Sequence, residues 1–450
     1  MKKLVISALF LLTMLCTSMT VLALTEGDWE YQLLEDHAVI TKYTGTAENV
    51  IIPDTLAGVP VTEVESSVEF DNGITKSVTF PATVKVIQSV CFDSDTLETV
   101  VLPEGVEEIA RVSFFGCTNL KNITLPSTLK KIGDGAFEGC NSLTSINFPP
   151  SLETIEDSVF AGAGLTSVDM SACTSLKTIP RAAFLNNTNL TSVRLPYGLT
   201  EIEKLAFDNC PSLADIEIPG TVSSIGTSAF YNCQSLKSII LPVSLKVLGD
   251  TAFKNCTSLE EVILPYGTES VGASFEDCPS LRAVYLPDTI TFLGYLFDEE
   301  TPNAIAYCAS GSKAAEECKN RKISYLTDNS VNTLINVLYN GKRISFDKYG
   351  KNPEMINDRT LVPLRSIFEA MNATVEWDGA TSTVTSTRGD TTVQIRIGAS
   401  EMYKNGTAIP MDVPAQLIGD FTMVPVRFIA EAFDAKVDWN GNGNVVLINE

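Results

Sequence analysis

A chain of 450 residues is long enough for two or three domains, and 44% hydrophobic residues supply an ample core, which excludes a disordered polymer. The net charge of −23 is unevenly placed: residues 331–450 carry 14 acidic and 11 basic side chains, whereas residues 24–330 hold a net of −22. An acidic surface of that size disfavours nucleic acid and anionic membrane as partners and serves solubility outside a cell.

The N-terminus reads as a secretory signal over residues 1–23. Lys2 and Lys3 form a positive start, Leu4 to Leu15 is largely apolar, and Val21-Leu22-Ala23 offers small-residue cleavage chemistry. Cys16 follows Leu15, where a lipoprotein signal would place a small residue, so lipidation is not expected. No later apolar segment is long enough to cross a bilayer, and the mature chain is expected to be soluble.

Internal repetition dominates the first two thirds of the mature chain. Phenylalanines recur at 92, 114, 137, 160, 184, 207, 230, 253, 275 and 297, at intervals of 22 to 24 residues. Around them repeats Phe-x-x-Cys-x-x-Leu-x-x-(Ile/Val)-x-Leu-Pro, complete in Phe253, Cys256, Leu259, Val262, Leu264 and Pro265. The stretch Leu143-Thr-Ser-Ile146-Asn-Phe148 ends in strict alternation, which predicts a short strand with Ile146 and Phe148 on one face, stopped by Pro149. A second apolar pair such as Leu152 and Ile155 faces inward from the other side of the coil, and Phe160 fills the space between. A 23-residue unit cannot bury this much apolar surface alone, but stacked neighbours can. The prediction is a mainly β solenoid of about ten coils of 22–24 residues, a rod on the order of 50 Å long. Departures are local. Residues 160–180 are irregular, with Met170-Ser171 in place of Leu-Pro and an insertion running from Cys173 to Ile179. The coil after Phe92 lacks its cysteine, and the coil after Phe184 carries Asn187 there.

This unit resembles the leucine-rich repeats of the BspA-like, or treponemal, class of bacterial surface proteins. Trp29-Glu-Tyr31, Tyr43-Thr-Gly45, Ile51-Ile52-Pro53 and Gly58-Val59-Pro60-Val61 resemble that family's N-terminal cap. Ala304 to Leu326 resembles its closing strand, helix and strand, with a helix through Ala314-Ala-Glu-Glu317. The resemblance implies a cap over 24–66, a solenoid over 67–302 and a closing cap over 303–326, with a linker at 327–335.

After residue 330 the period stops and a duplication begins. Val362-Pro363-Leu364-Arg365 returns as Val424-Pro425-Val426-Arg427, Glu369-Ala370 as Glu431-Ala432, and Trp377 as Trp439, always 62 residues on. Each half reads as a strand, a helix whose apolar face includes Ile367 and Met371 or Ile429 and Phe433, then a strand ending at tryptophan. Residues 336–450 are thus expected to form a small duplicated α+β domain. It resembles the bacterial stalk domain, the copper amine oxidase N-terminal-like domain. The chain's one histidine, His37, lies far from it, and residues 331–450 hold no cysteine, so a copper centre there has no ligand set.

Cys117, Cys140, Cys210, Cys233, Cys256 and Cys278 occupy one repeat position and predict an inward ladder of thiols acting as small hydrophobes. Parallel Cβ vectors on such a ladder point the wrong way for a disulfide dihedral, which favours free thiols. Cys308 and Cys318 flank the closing turn and are left open as a pair or as two thiols. No Cys-x-x-Cys pairing suggests zinc. His37 sits in Glu35-Asp36-His37, an exposed-looking turn, and is read as structural. Arg388-Gly389-Asp390 spells an integrin-binding tripeptide, but that triplet arises by chance in roughly one such chain in ten, and its place between two strand-like runs reads as a hairpin tip. Leu125-Pro-Ser-Thr128 and Leu286-Pro-Asp-Thr289 lack the glycine of a sortase signal, so covalent wall anchoring is not expected.

Neither a catalytic constellation nor a cofactor motif is expected. The resemblance implies a secreted or cell-surface, adhesin-like binding protein whose solenoid meets an extracellular protein or glycan. The stalk domain would serve as a spacer or as support in non-covalent association with the cell wall. The alternative is a structural component of the envelope or matrix that binds no ligand. Tyr197 and Tyr266, which both follow Leu-Pro, and Tyr285 are the candidate residues of a partner-binding face.

Overall fold

The computed structural model describes residues 23–449 apart from 66–67, 69–72, 89–94, 329–330, 332–334, 341, 345, 347–350, 352, 358 and 441–444. The expected signal and Phe92 lie outside the described residues, as does part of the expected linker. Strands account for 33% of the chain and helices for 6%, so the fold is mainly β.

The described residues open on a small mixed sheet ordered Leu24–Glu26, Trp29–Leu33, Ala38–Tyr43, Val59–Val64 and Thr55–Leu56. From it the strand Asn49–Ile51 leads into the solenoid, pairing in parallel with Ser77–Thr79 through Val50 and Val78. Each regular coil then gives a three-residue strand to one side and a two-residue strand to a second; irregular coils break the first side into parallel sheets of four, three and four strands and the second into sheets of four and six. The inward residues align in columns: Val193 beside Ile216, and Ile202 beside Ile225. Val193, Ile202 and Ile225 are buried and Ile216 is half-buried, which is where the Leu/Ile/Val spacing in the sequence leads. About 12 turns stack in this way. The count exceeds the phenylalanine repeats because Asn49–Ile51 precedes them and the strands Ile305–Cys308 and Tyr325–Thr327 follow them.

The third side carries the phenylalanines. The rings from Phe114 to Phe275 stack one above the next with centroids 5.2–5.8 Å apart, a coil pitch set by backbone bonds such as Phe207 N–H to Ala229 O at 2.8 Å. Each buried ring contributes about 1.5–3 kcal/mol through area removed from water, and each stacked pair roughly another 0.5–1.5 kcal/mol. Turning the chain on this side demands left-handed backbone. Gly116, Gly139 and Gly162 take that conformation in the early coils, and Asn186, Asn209, Asn232, Asn255 and Asp277 take it in the later ones. The asparagines pair down the stack: Asn209 Nδ2 donates to Asn186 Oδ1 at 2.8 Å and Asn255 Nδ2 to Asn232 Oδ1 at 2.7 Å.

The cysteines do more than fill space. The thiols of Cys140, Cys210, Cys233, Cys256 and Cys278 donate to the carbonyl of the phenylalanine one coil back, at 3.2–3.3 Å. Asn187 and Thr301 make the same bond at the same register, to Phe160 O at 2.8 Å and Phe275 O at 3.2 Å. The position therefore selects a buried donor, which is why polar residues replace cysteine there.

One expected strand is absent. Leu143 to Phe148 forms no ladder, although Ile146 and Phe148 are buried as predicted. Alternation sets which residues face inward, but a strand also needs a partner in register. Here only single bonds remain, such as Thr166 N to Thr144 O at 3.0 Å. The irregularity of the next coil is absorbed between Met170 and Leu176, where Cys173 tucks inward.

The solenoid is closed by helix α1 (Lys313–Arg321), capped by Ser312 Oγ accepting from Ala315 N, and by the edge strand Tyr325–Thr327. Its apolar core runs from Tyr31 to Ile323, and a second core begins at Ile335.

That second core belongs to the duplicated segment. In the first half, Glu354–Ile356, Arg359–Pro363, α2 (Leu364–Ala370), Thr374–Asp378 and Thr383–Arg388 follow in order. In the second, Gln416–Ile418, Phe421–Pro425, α3 (Val426–Ala432), Lys436–Asn440 and Val445–Asn449 repeat them. Arg359–Pro363 pairs antiparallel with Phe421–Pro425, and Val362 faces Val424, its own equivalent, so a pseudo-two-fold axis passes through that pair. The strand in front of each helix is the expected one; its hairpin partner, Glu354–Ile356 or Gln416–Ile418, is only three residues long, too short for an alternating pattern to show.

Candidate recognition surface

The outward residues of the first side form their own columns, since strand pairing puts equivalent positions side by side. Midway along the solenoid one reads Asp169, Arg194 and Glu217, which is charged. Toward the closing end another reads Ile263, Tyr285, Tyr307 and Leu326, in register across four adjacent strands. The rings of Tyr285 and Tyr307 stack with centroids 4.9 Å apart, and Leu326 on the edge strand is 51% exposed. Ile263, Tyr285 and Tyr307 are half-buried, so the stripe is an aromatic and aliphatic run partly open to solvent.

The sequence candidates separate here. Tyr285 lies in the stripe. Tyr197 and Tyr266, 78% and 50% exposed, sit instead on the turn after the strand and are three coils apart, with Gly220 and Val243 at the intervening turns. Repeat spacing alone does not mark Ile263, Tyr307 or Leu326. The pattern shared by Ala283-Val-Tyr-Leu286 and Ile305-Ala-Tyr-Cys308, 22 residues apart, is the signal that could have found Tyr307.

Other faces carry isolated exposed apolar residues such as Ile51, Val101 and Phe292, and charge pairs that run from coil to coil. Lys121 meets Glu98 at 2.9 Å, Lys130 meets Glu107 at 2.8 Å, and Lys131 bridges Glu108 and Glu156. The lysines hold Glu98 and Glu107 below the usual carboxylate range, but these exposed pairs add little stability. Asp208 differs: burial pushes it up to about 6.

The ladder thiols are unsuited to chemistry. Burial pushes Cys210 and Cys278 up to about 12 and Cys233 and Cys256 well above the ordinary value, so no thiolate forms. Cys308 and Cys318 are free, buried thiols that hydrogen-bond to one another; this bond lowers Cys308 and raises Cys318. His37 is half-buried rather than exposed and bonds to Asp36 at 2.7 Å. Arg388 ends a strand and Gly389-Asp390 forms the hairpin tip, as its sequence position suggests. Asp277, Asp298 and Glu300 converge, but Asp298 already accepts from Asp277 N at 3.0 Å and Thr301 Oγ1 at 2.8 Å. These acids cap the last turns of the third side. Among the described residues, no helix is long and apolar enough to cross a membrane.

Stacked coils, a buried phenylalanine ladder and two sides of parallel strands define a β-solenoid of the leucine-rich-repeat kind. Residues 65–187 and 177–301 match the BspA-type leucine-rich-repeat region in six copies, more than half of the chain. The chain belongs to the BspA-type leucine-rich-repeat family. Residues 338–448 match the copper amine oxidase N-terminal domain. Among solved structures, a leucine-rich cell surface protein from Faecalibacterium prausnitzii is 25% identical, covering 66% of this chain and 97% of that one, with a TM-score of 0.37. The T. pallidum leucine-rich-repeat protein is 31% identical over 46% of this chain and 88% of its own, with a TM-score of 0.37. The pneumococcal vaccine antigen PcpA is 18% identical, over 68% and 99%, with a TM-score of 0.43. No curated protein matches the chain. The family is one of surface-associated repeat proteins, typically secreted or at the cell surface and typically non-enzymatic.

Proposed function

We propose that this is a secreted, adhesin-like recognition protein of the bacterial surface, with the closing end of the first side as its binding face. One observation carries the reading: the in-register stripe of Ile263, Tyr285, Tyr307 and Leu326, aromatic and aliphatic where the equivalent positions midway along the solenoid are Asp169, Arg194 and Glu217. Stacked tyrosines bring large contact area at low entropy cost and a hydroxyl for hydrogen bonding, which suits an extracellular protein or a glycan. The C-terminal domain serves as spacer and wall-associated support.

The test is a pulldown of the full chain against host matrix proteins, mucins and isolated cell wall. Saturable binding to a matrix protein or mucin that Tyr285→Ser with Tyr307→Ser removes, and Tyr197→Ser with Tyr266→Ser does not, supports the stripe. Binding that tracks Tyr197 and Tyr266 instead moves the face to the turns. If no partner binds, the chain is better read as a structural component of the envelope.

A further inference from the structure

The C-terminal domain contains two clefts built from equivalent residues of its two halves. In one, of about 410 Å³, Arg365 at the start of α2 and Trp377 of the following strand come from the first half, while Leu417, Asp420 and Thr422 come from the second half's hairpin. In the other, of about 470 Å³, Arg427 and Trp439 come from the second half, while Met355, Arg359 and Thr360 come from the first half's hairpin. Arg365 and Arg427, Trp377 and Trp439, Leu417 and Met355, Thr422 and Thr360 are each 62 residues apart. The pseudo-two-fold through Val362 and Val424 therefore exchanges the clefts, and each half completes the other's.

Both clefts keep a large apolar surface open. Trp377 is 49% and Trp439 41% exposed, beside Leu417 and Met355, which are likewise exposed. Such groups at the mouth of a concave site, ringed by a few hydrogen-bonding side chains, are the features of a ligand pocket. Each cleft sets an arginine against a carboxylate in its lining. Arg365 shares one cleft with Asp420; in the other, Arg359 is paired with Asp412 at 2.6 Å, and Arg427 has Glu431 3.8 Å away, outside the lining. A polyanion gains little from arginines that already face carboxylates, in a domain whose 14 acidic and 11 basic side chains give it no positive field. A flat indole beside guanidinium, carboxylate and hydroxyl groups matches instead a pyranose ring, whose face is C–H and whose rim is hydroxyl.

We propose that the paired clefts are two equivalent subsites for a neutral glycan, the repeating pyranose polymer of a cell envelope. Two like sites on one domain suit a ligand that repeats, because the second contact forms at high effective concentration. The proposal deepens the wall-support reading of this domain and rests on it only for the choice of polymer.

The experiment titrates the full chain with chitohexaose, cellohexaose, xylohexaose and soluble mannan, with polygalacturonate as the polyanion, by calorimetry and by acrylamide quenching of the three tryptophans. A neutral glycan should bind at two sites per chain and shield two indoles. Trp377→Ala or Trp439→Ala should leave one indole shielded and weaken binding, and the double variant should abolish binding with unchanged circular dichroism. Should alanine unfold the domain, Trp377→Phe with Trp439→Phe keeps two sites and weakens each by on the order of tenfold. Failure of every neutral glycan to bind, binding of polygalacturonate alone, or glycan binding that survives the double alanine variant overturns the proposal. Sedimentation with isolated wall separates the two readings. Glycan binding lost while wall retention persists still supports the clefts and places the wall contact elsewhere. Glycan binding that survives the double variant removes the clefts and leaves wall association standing.

Discussion

Asn232 shows how much one residue does in this fold. Its backbone is left-handed, with φ of 59°, and its amide links Asn209 below to Asn255 above. Asn232→Gly keeps the backbone at ease and loses the ladder and the bond from Gln234 Nε2, whereas Asn232→Ala loses the same bonds and adds left-handed strain of about 1 kcal/mol. Thermal melts should therefore rank the alanine variant below the glycine variant; the reverse order would remove backbone strain as the reason for asparagine. Asp208 makes a second case. Its folded value of about 6 exceeds the usual 3.8, so the folded state holds the proton more tightly and stability falls as pH rises through that window. Asp208→Asn should melt higher than the parent at pH 7, and the gap should close below pH 4. A gap that persists at low pH would mean the carboxylate's charge is not the cause. Neither effect is legible in the sequence, since the repeat pattern reports which residues recur and not the backbone angle or burial each meets.

Among the elements, the phenylalanine ladder carries the solenoid. Phe207 lies between Phe184 and Phe230 at 5.3 and 5.4 Å and is fully buried. Phe207→Ala should cost about 3–5 kcal/mol in urea unfolding. In a stack where each coil touches only its neighbours, the damage should stay local. Hydrogen exchange should speed up from residue 184 to 230 first and leave the C-terminal domain unchanged; uniform loss of protection across the chain would contradict the nearest-neighbour picture. The inward columns were readable because a 23-residue period repeats them many times. The strand expected at Leu143–Phe148 shows the limit of that signal, for alternation says nothing about the neighbouring strand's register.

Among the described residues, the solenoid's apolar core ends at Ile323, and the C-terminal domain's main core, which starts at Ile335, and its small satellite of Leu361, Val413 and Met423 share no residue with it. Calorimetry of the full chain should accordingly resolve two transitions, and substitutions in the phenylalanine ladder should shift only one of them. A single transition moved as a unit would show that the cores are coupled. The sequence by itself determined the repeat, the inward residues, the place where the period stops and the duplication 62 residues apart, because each is a pattern along the chain. Only the tertiary structure decided which outward residues meet. Tyr285 reaches Tyr307 through parallel register, and Trp377 shares a cleft with Leu417 through a pseudo-two-fold between halves. Both contacts depend on non-local pairing, which sequence spacing does not specify.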